Sequence, residues 1–269
     1  MLRKLVTALT SAAILASLTA APQALAAERN MVVLGDSIIA DSPATQLLAD
    51  RFTSSRNCRR SPDSYAEQAG RRLGLPVRNF SCPGVQSVST GSFAGGPFNV
   101  EVDSALNSGA LNAATARVVI THGFNDTYFN GSESEGTTRE RFVAAMRPQI
   151  DRIRAAAPHA RIQIVGYPTM VIGSRICPLH IIPNITLPVP AGAMERWENL
   201  AQGMNIDLAR ATGVEFLDLK PHTRNNGMCA PDADRYFSGV IDFTTGKGNM
   251  PLHINARGHE RISEILANS

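Results

Sequence analysis

The sequence predicts an α/β fold built on a doubly wound parallel sheet, and three observations carry that reading. Short apolar runs that stop abruptly at polar residues or glycine recur along the chain, the first being Met31-Val32-Val33-Leu34 before Gly35-Asp36-Ser37. Amphipathic stretches of helical period separate these runs, a pattern that gives βαβ units with helices on both faces of a sheet. Over 269 residues, 43% hydrophobic and 18% charged, the composition suits one globular domain with a sizeable core rather than a disordered or fibrous chain.

The first run ends where Gly35 and Asp36 break it, so Ser37 is delivered to the strand's C-terminal edge, where open α/β sheets bind ligands. Residues 38–60 are mixed in character, with Asp41-Ser42-Pro43 as a turn or helix start and 57–62 as a loop. Ser64 as N-cap, Glu67 three residues on and Gly74 as a stop bound a helix of about three turns. Residues 77–82 alternate as a second strand that ends at Pro83-Gly84. A loop rich in Gly and Ser follows at 87–97, then a weak helical pattern over 100–111.

Residues 117–121 are the third strand, ending in His122-Gly123-Phe124-Asn125-Asp126. Phe142, Val143, Met146, Ile150 and Ile153 recur at helical spacing across 138–157, which Pro158 closes. The fourth strand is 161–166. Residues 167–192 break the rhythm as an apolar, proline-rich excursion of about 25 residues, a length that marks a loop as functional or tied down. It reads either as a surface loop stapled by Cys177 and packed on the core, or as a wall of an acyl-binding cleft. A helix at 194–211, a fifth strand at 214–219 and a long loop at 221–250 follow, and Leu252-His253-Ile254-Asn255 opens a final helix through Ala267.

At the N-terminus, Arg3 and Lys4 precede an apolar run and Ala24-Leu25-Ala26, which together read as a secretory signal peptide over 1–26. That leaves a single domain over 27–269. The apolar run is shorter than the roughly 20 residues needed to span a bilayer, and no later segment is a transmembrane candidate. With Arg3 and Lys4 removed, 26 Lys and Arg against 23 Asp and Glu become 24 against 23, a net charge of +1. Without a cluster of Lys and Arg, nothing points to nucleic acid as a partner. Cys58, Cys82, Cys177 and Cys229 are an even number in a chain expected to be exported, which favours disulfides; none forms the close pair usual in a zinc site.

Four polar features therefore sit at strand ends or in the last loop: Ser37, Gly84, Asn125 and His253. An acyl-transfer site needs a nucleophile, a base for its proton, and donors aimed at the oxygen that becomes negative. Ser37 suits the first role and His253 the second. The backbone N–H groups of Ser37 and Gly84 with the Asn125 amide suit an oxyanion hole, since glycine leaves its N–H unshielded and a neutral amide donates without titrating. Asp36 and Asp126 read as turn-holding residues, and Tyr167 and Trp197 as core or cleft-lining aromatics. His122, His159, His180, His222 and His259 read as structural or surface residues, with His259 facing solvent or capping the final helix. No nucleophile elbow, metalloprotease motif or phosphate-binding glycine loop is present.

Gly35-Asp36-Ser37, Gly84, Gly123-Phe124-Asn125-Asp126 and the stretch His253-Ile254-Asn255-Ala256-Arg257-Gly258-His259 follow one another along the chain. In this it resembles the SGNH, or GDSL, hydrolase family, in particular its secreted bacterial lipases and esterases. The resemblance spans essentially all of the chain after the leader. It implies a flavodoxin-like three-layer α/β/α fold and an ester or thioester target, with a small-molecule or lipid ester as substrate and no cofactor or metal. It also implies a secreted protein, and nothing demands more than a monomer. The surroundings of Cys58 and Cys82 resemble the secreted branch, which implies the pairing Cys58–Cys82 and with it Cys177–Cys229.

One position departs from the family. An Asp commonly stands three residues before the histidine, where this chain has Met250 after Asn249. Similar secreted members orient the imidazole with a main-chain carbonyl, here that of Met250 or Pro251, so the expectation is a Ser37–His253 dyad. Asp242, 11 residues before His253, is the alternative third member. The competing functional readings are an acyl-hydrolase or acyltransferase acting on carbohydrate or envelope-lipid esters through the same residues, and a non-catalytic binding protein of the same fold.

Overall fold

Five strands form one parallel sheet in the computed structural model: β1 (Met31–Gly35), β2 (Val77–Asn79), β3 (Arg117–Thr121), β4 (Arg161–Val165) and β8 (Glu215–Leu217), in the order β2-β1-β3-β4-β8. Three two-residue strands, β5 (Arg175–Ile176), β6 (Leu179–His180) and β7 (Val189–Pro190), fall between β4 and β8, and β9 (Ile241–Asp242) follows. The structure describes residues 28–43, 45, 58–89, 95–128, 133–245 and 250–269. The leader expected at 1–26, most of the mixed segment after Ser42, the centre of the Gly/Ser loop and Asn249 lie outside the described residues.

The chain enters at β1 in the interior, moves outward to β2, and crosses back to β3 on the other side of β1. The switch point is therefore the crevice at the C-terminal ends of β1 and β3, where open α/β sheets take their ligands. Register places Gly35 opposite Thr121, so the residues that follow both strands emerge side by side. Gly35 has φ +137°, and a Cβ there would stand 2.0 Å from the Thr121 carbonyl oxygen, which no side chain could accept.

Period-two alternation assigns the layers. Met31 and Val33 pack with Tyr65, Ala66, Ala69, Ile262 and Leu266, the buried faces of α2 (Tyr65–Leu73) and α7 (Ala256–Ala267). Val32 and Leu34 turn the other way, to α3 (Asn99–Asn107), α4 (Glu135–Ala156) and α5 (Gly192–Thr212), through Val102, Phe142, Met146 and Met204. Burial on both faces explains why these strands read as unbroken apolar runs. Truncating one of the central side chains, such as Ile120, to Ala costs about 2–5 kcal/mol.

The expected caps of α2 are present, and Asn255 caps α7. Ser64 accepts from the Glu67 N–H, Gly74 ends α2 with φ 64°, and Asn255 accepts from the Gly258 N–H at 2.9 Å. The fourth helix begins three residues earlier than its apolar spacing predicts, because Ser134 caps it. Only 77–79 of the second strand pair in the ladder, but the N–H groups of Phe80 and Cys82 still donate to the carbonyls of Val33 and Gly35 at 2.8 Å. The chain thus runs beside β1 as far as Cys82, two residues before Gly84. Cys58–Cys82 and Cys177–Cys229 are both bridged. The second bridge and the parallel pairing of β6 with β9 tie the excursion after β4 to the loop before the last helix. That loop is less irregular than the sequence suggests, since it opens on the one-turn α6 (Lys220–Thr223) and holds β9. Among the described residues, no helix is long and apolar enough to cross a membrane.

Candidate active site

Asp36 caps the one-turn helix α1 (Ser37–Ala40): its Oδ1 accepts from the Ile38 N–H at 3.0 Å. Its other oxygen accepts from the Tyr167 hydroxyl, and that hydroxyl accepts from the Phe124 N–H at 2.9 Å. Through this chain the turn that carries Ser37 is locked to the turn that carries Asn125. Burial pushes the Asp36 carboxyl up to about 7, against the Tyr167 and Ile38 hydrogen bonds, which act downward.

Ser37 Oγ lies 2.7 Å from His253 Nε2, and His253 Nδ1 lies 2.8 Å from the Pro251 carbonyl oxygen. A carbonyl only accepts, so Nδ1 carries the ring hydrogen and Nε2 is left as an acceptor facing the serine hydroxyl. That is the tautomer a general base requires. Burial in the cleft pulls the His253 pKa below the ordinary imidazole value, to about 4; the Pro251 carbonyl and Asp41 act in the opposite direction. The imidazole is therefore neutral across the physiological range. Leu252, immediately before it, has φ 63°, a left-handed conformation uncommon for such a side chain, and it also lines the cleft.

Of the two carbonyls considered for orienting the ring, Pro251 takes the ring N–H, whereas that of Met250 accepts the His253 backbone N–H at 3.2 Å. Asp242 does not reach His253. Arg235, whose side chain is fully buried, holds both carboxylate oxygens at 2.7 and 2.9 Å, and the Gly239 N–H adds a third bond at 2.8 Å. Burial alone would raise the Asp242 pKa, but these partners hold it well below the usual carboxylate range. A buried guanidinium needs a counter-charge, and this pairing decides where the carboxylate goes.

Of the three residues expected to supply oxyanion donors, Ser37 and Asn125 line the cleft and Gly84 does not. The Ser37 N–H is the first of a helix and has no acceptor within it. The Gly84 N–H, at a residue with φ 79°, has no acceptor among the described residues. Asn125 gives one amide hydrogen to the Val85 carbonyl at 3.0 Å, while its Oδ1 accepts from the Tyr128 hydroxyl at 2.5 Å, which fixes the amide's sense and leaves its second hydrogen free to donate. Asp126 organises the loop after Gly84 by accepting from the N–H groups of Ser87, Val88 and Ser89 at 2.7–3.0 Å. The expected turn-holding roles of Asp36 and Asp126 thus extend across the molecule. His259 departs from expectation: it is buried, its Nδ1 accepts from the Tyr65 N–H at 3.1 Å, and its Nε2 stands 3.1 Å from Asp41.

Ser37 and His253 stand at a cleft of about 240 Å³ walled mainly by Phe124, Tyr128, Tyr167, Met170, Trp197 and Phe237. Tyr167 and Trp197 line it, as their types suggest. The excursion after β4 contributes only its opening residues, Tyr167, Pro168 and Met170, to the wall. Glu198 of α5 also lines the cleft and was not evident from the sequence. Its Oε2 accepts from the N–H groups of Met170 and Val171 at 3.2 and 3.0 Å, and it pairs with Lys220. Burial lowers the Lys220 pKa to about 8, with Glu195 acting upward.

A hydroxyl bonded to a correctly disposed neutral imidazole, beside unpaired donors and an apolar cleft at a sheet switch point, is the arrangement of an acyl hydrolase. Residues 33–261 match the GDSL-like lipase/acylhydrolase family, and the chain belongs to it: it is a carboxylic ester hydrolase of that family. It is 25% identical to Lipase 2 of Streptomyces coelicolor over 91% of this chain and 87% of that one. Its fold is similar to that of phospholipase A1 from Streptomyces albidoflavus NA297, with a TM-score of 0.57 and 19% identity over 90% of this chain and 99% of the other. The extracellular lipase of Streptomyces rimosus gives 0.54 and 19% over 89% and 98%, and a carbohydrate acetylesterase from Sinorhizobium meliloti 0.53 and 16% over 90% and 97%.

Proposed function

We propose that the protein is a secreted serine esterase or lipase that hydrolyses acyl esters with an apolar acyl half through an acyl-enzyme on Ser37. The observation that carries this reading is the line Ser37 Oγ, His253 Nε2, His253 Nδ1, Pro251 O, with 2.7 and 2.8 Å at its two hydrogen bonds. Nε2 takes the hydroxyl proton as Ser37 Oγ bonds the ester carbonyl carbon, and returns it to the leaving alkoxide. The negative carbonyl oxygen is met by the N–H groups of Ser37 and Gly84 and the Asn125 amide. Water, deprotonated by the same Nε2, then releases the acid. The imidazolium formed at each step is stabilised by the dipole of the Pro251 carbonyl in place of a carboxylate.

The aromatic and methionine lining of the cleft supports a lipid-like acyl group over a sugar-borne acetyl group. The pattern of residues 1–26, the two disulfides and the fold of an extracellular Streptomyces lipase support export and a single domain over 27–269. The test is hydrolysis of p-nitrophenyl esters from two to sixteen carbons by the mature protein, beside Ser37→Ala and His253→Ala. The reading expects kcat losses of about 10³-fold or more in each variant, because nucleophile and base act as a unit, and an optimum above four carbons. Turnover that survives Ser37→Ala, or an optimum at acetate, contradicts it.

A further inference from the structure

Among the described residues, nine large apolar side chains stand exposed, and eight of them fall in two short segments, 172–187 and 240–243. Phe243 is 74% exposed, and Ile185 and Leu187 are 63% exposed. The two segments are one surface. Leu179 pairs with Ile241 where β6 meets β9, and the N–H groups of Val240 and Phe243 donate to the carbonyls of Pro178 and His180 at 2.7 and 2.9 Å. The tip is a turn closed by the Ile185 N–H on the Ile182 carbonyl at 3.1 Å. Reciprocal bonds pin it: the Asn184 N–H to Asp232 Oδ2 at 2.7 Å, and the Asp232 N–H to Asn184 Oδ1 at 3.2 Å. With Cys177–Cys229 at its base, this framework holds apolar side chains outward rather than letting them fold onto the core. A concentration of exposed apolar area of this kind marks a contact surface.

Charge and position identify the occupant. Within the two segments the only carboxylate is Asp242, which is turned inward to Arg235, and the exposed charge is Arg175. The surface adjoins the cleft on two sides. Met170, two residues before Ile172, lines the cleft, and the Gly239 carbonyl accepts from the N–H of Leu252, the residue next to His253. A second copy of the chain offers no ester to the cleft that adjoins this surface, whereas a lipid surface does. We infer that segments 172–187 and 240–243 form a plate that docks on a phospholipid surface and seats the cleft against it. The isoleucine tip and Phe243 enter the boundary between head groups and acyl chains, and Arg175 meets phosphate.

This inference rests on the ester-hydrolase reading for its purpose, and its test separates the two. The mature protein and the triple variant Ile185→Ser, Leu187→Ser, Phe243→Ser are mixed with vesicles of ether-linked phosphatidylcholine, which cannot be hydrolysed at an acyl ester, and the bound fraction is measured by sedimentation. Hydrolysis of soluble p-nitrophenyl butyrate and the elution volume in gel filtration are read on the same samples. Wild type is expected to bind, and the triple variant to bind about 100-fold more weakly, from the loss of three exposed apolar side chains that each transfer roughly half their area into lipid. Soluble-ester turnover is expected to be unchanged. A wild type that ignores the vesicles, equal binding by the variant, or a wild-type dimer that the variant dissolves would each overturn the inference. Vesicle binding without any soluble-ester turnover would instead leave the plate standing and remove the hydrolase mechanism.

Discussion

Replacing Asn125 by Ala removes a donor whose direction the structure fixes from both sides. One amide hydrogen is held by the Val85 carbonyl at 3.0 Å and the amide oxygen by Tyr128 at 2.5 Å, so the remaining hydrogen is pre-aimed and needs no reorganisation when charge develops. Losing one such donor from an oxyanion hole lowers kcat by about 10²–10³, or about 3–4 kcal/mol of transition-state stabilisation. Tyr128→Phe leaves the donor but frees its orientation; the loss of one neutral hydrogen bond, about 1 kcal/mol, translates to roughly fivefold in kcat. The order of the two variants is thus fixed as well as their sizes. The assay is steady-state hydrolysis of soluble p-nitrophenyl butyrate, with KM read separately, because an interaction made only in the transition state changes kcat and leaves KM in place. Thermal melts accompany it, since Asn125→Ala also strands the Val85 carbonyl. A folded Asn125→Ala enzyme with kcat within about threefold of wild type, or a loss carried by KM, would refute the oxyanion assignment.

The remaining expectations come from titration and burial. With His253 held to about 4, kcat/KM should fall with unit slope as the pH drops through about 4 and stay level from there through neutrality; a limb near 6.5 contradicts the half-buried, carbonyl-held imidazole. Asp36 has a folded-state pKa of about 7 against an ordinary 3.8, so the folded protein binds the extra proton between those values and its stability falls as pH rises through that window. Urea titrations at pH 4 and pH 8 should show Asp36→Asn losing about 4 kcal/mol less stability across the range than wild type, and equal losses would contradict it. Glu198→Ala leaves the Lys220 ammonium and two backbone N–H groups without their acceptor; it should cost about 3 kcal/mol, the low end for a broken buried pair because Lys220 keeps some solvent. A melting temperature unchanged from wild type would show the pair to be dispensable.

The sheet and the four blocks at its edge were legible because each is coded locally. Residues 31–34 read as a strand by their apolar run, Gly35 and Asp36 break that run, Ser64 and Asn255 cap helices through their side chains, and Gly74 ends one through a left-handed backbone that glycine adopts freely. Side-chain pairing between distant residues is not coded in that way. Asp242 lies near enough to His253 in sequence to be considered, yet the fully buried Arg235 captures it, and nothing in the stretch around residue 235 announces a buried arginine. Nothing in the helical spacing around Glu198 singles it out, and its role appears only where the excursion after β4 brings the Met170 and Val171 N–H groups onto the carboxylate. His259 follows the N-cap of α7 by one turn, which suits an exposed cap, but the contact of α7 with α2 sets it against Tyr65. The missing Asp before His253 left two carbonyls open, and the turn geometry distinguishes them by giving Pro251 the ring and Met250 the main chain.

The claim on which the account depends is that Ser37, activated by His253, is the atom that takes the acyl group. Fluorophosphonate labelling followed by peptide mass spectrometry tests it most directly, because the probe forms a stable bond only with a serine whose proton a neighbouring base removes. The account expects one equivalent of adduct on the peptide bearing Ser37, stoichiometric loss of esterase activity, and no adduct in either Ser37→Ala or His253→Ala. An adduct on another residue, or full labelling of Ser37 in the His253→Ala protein, would contradict it.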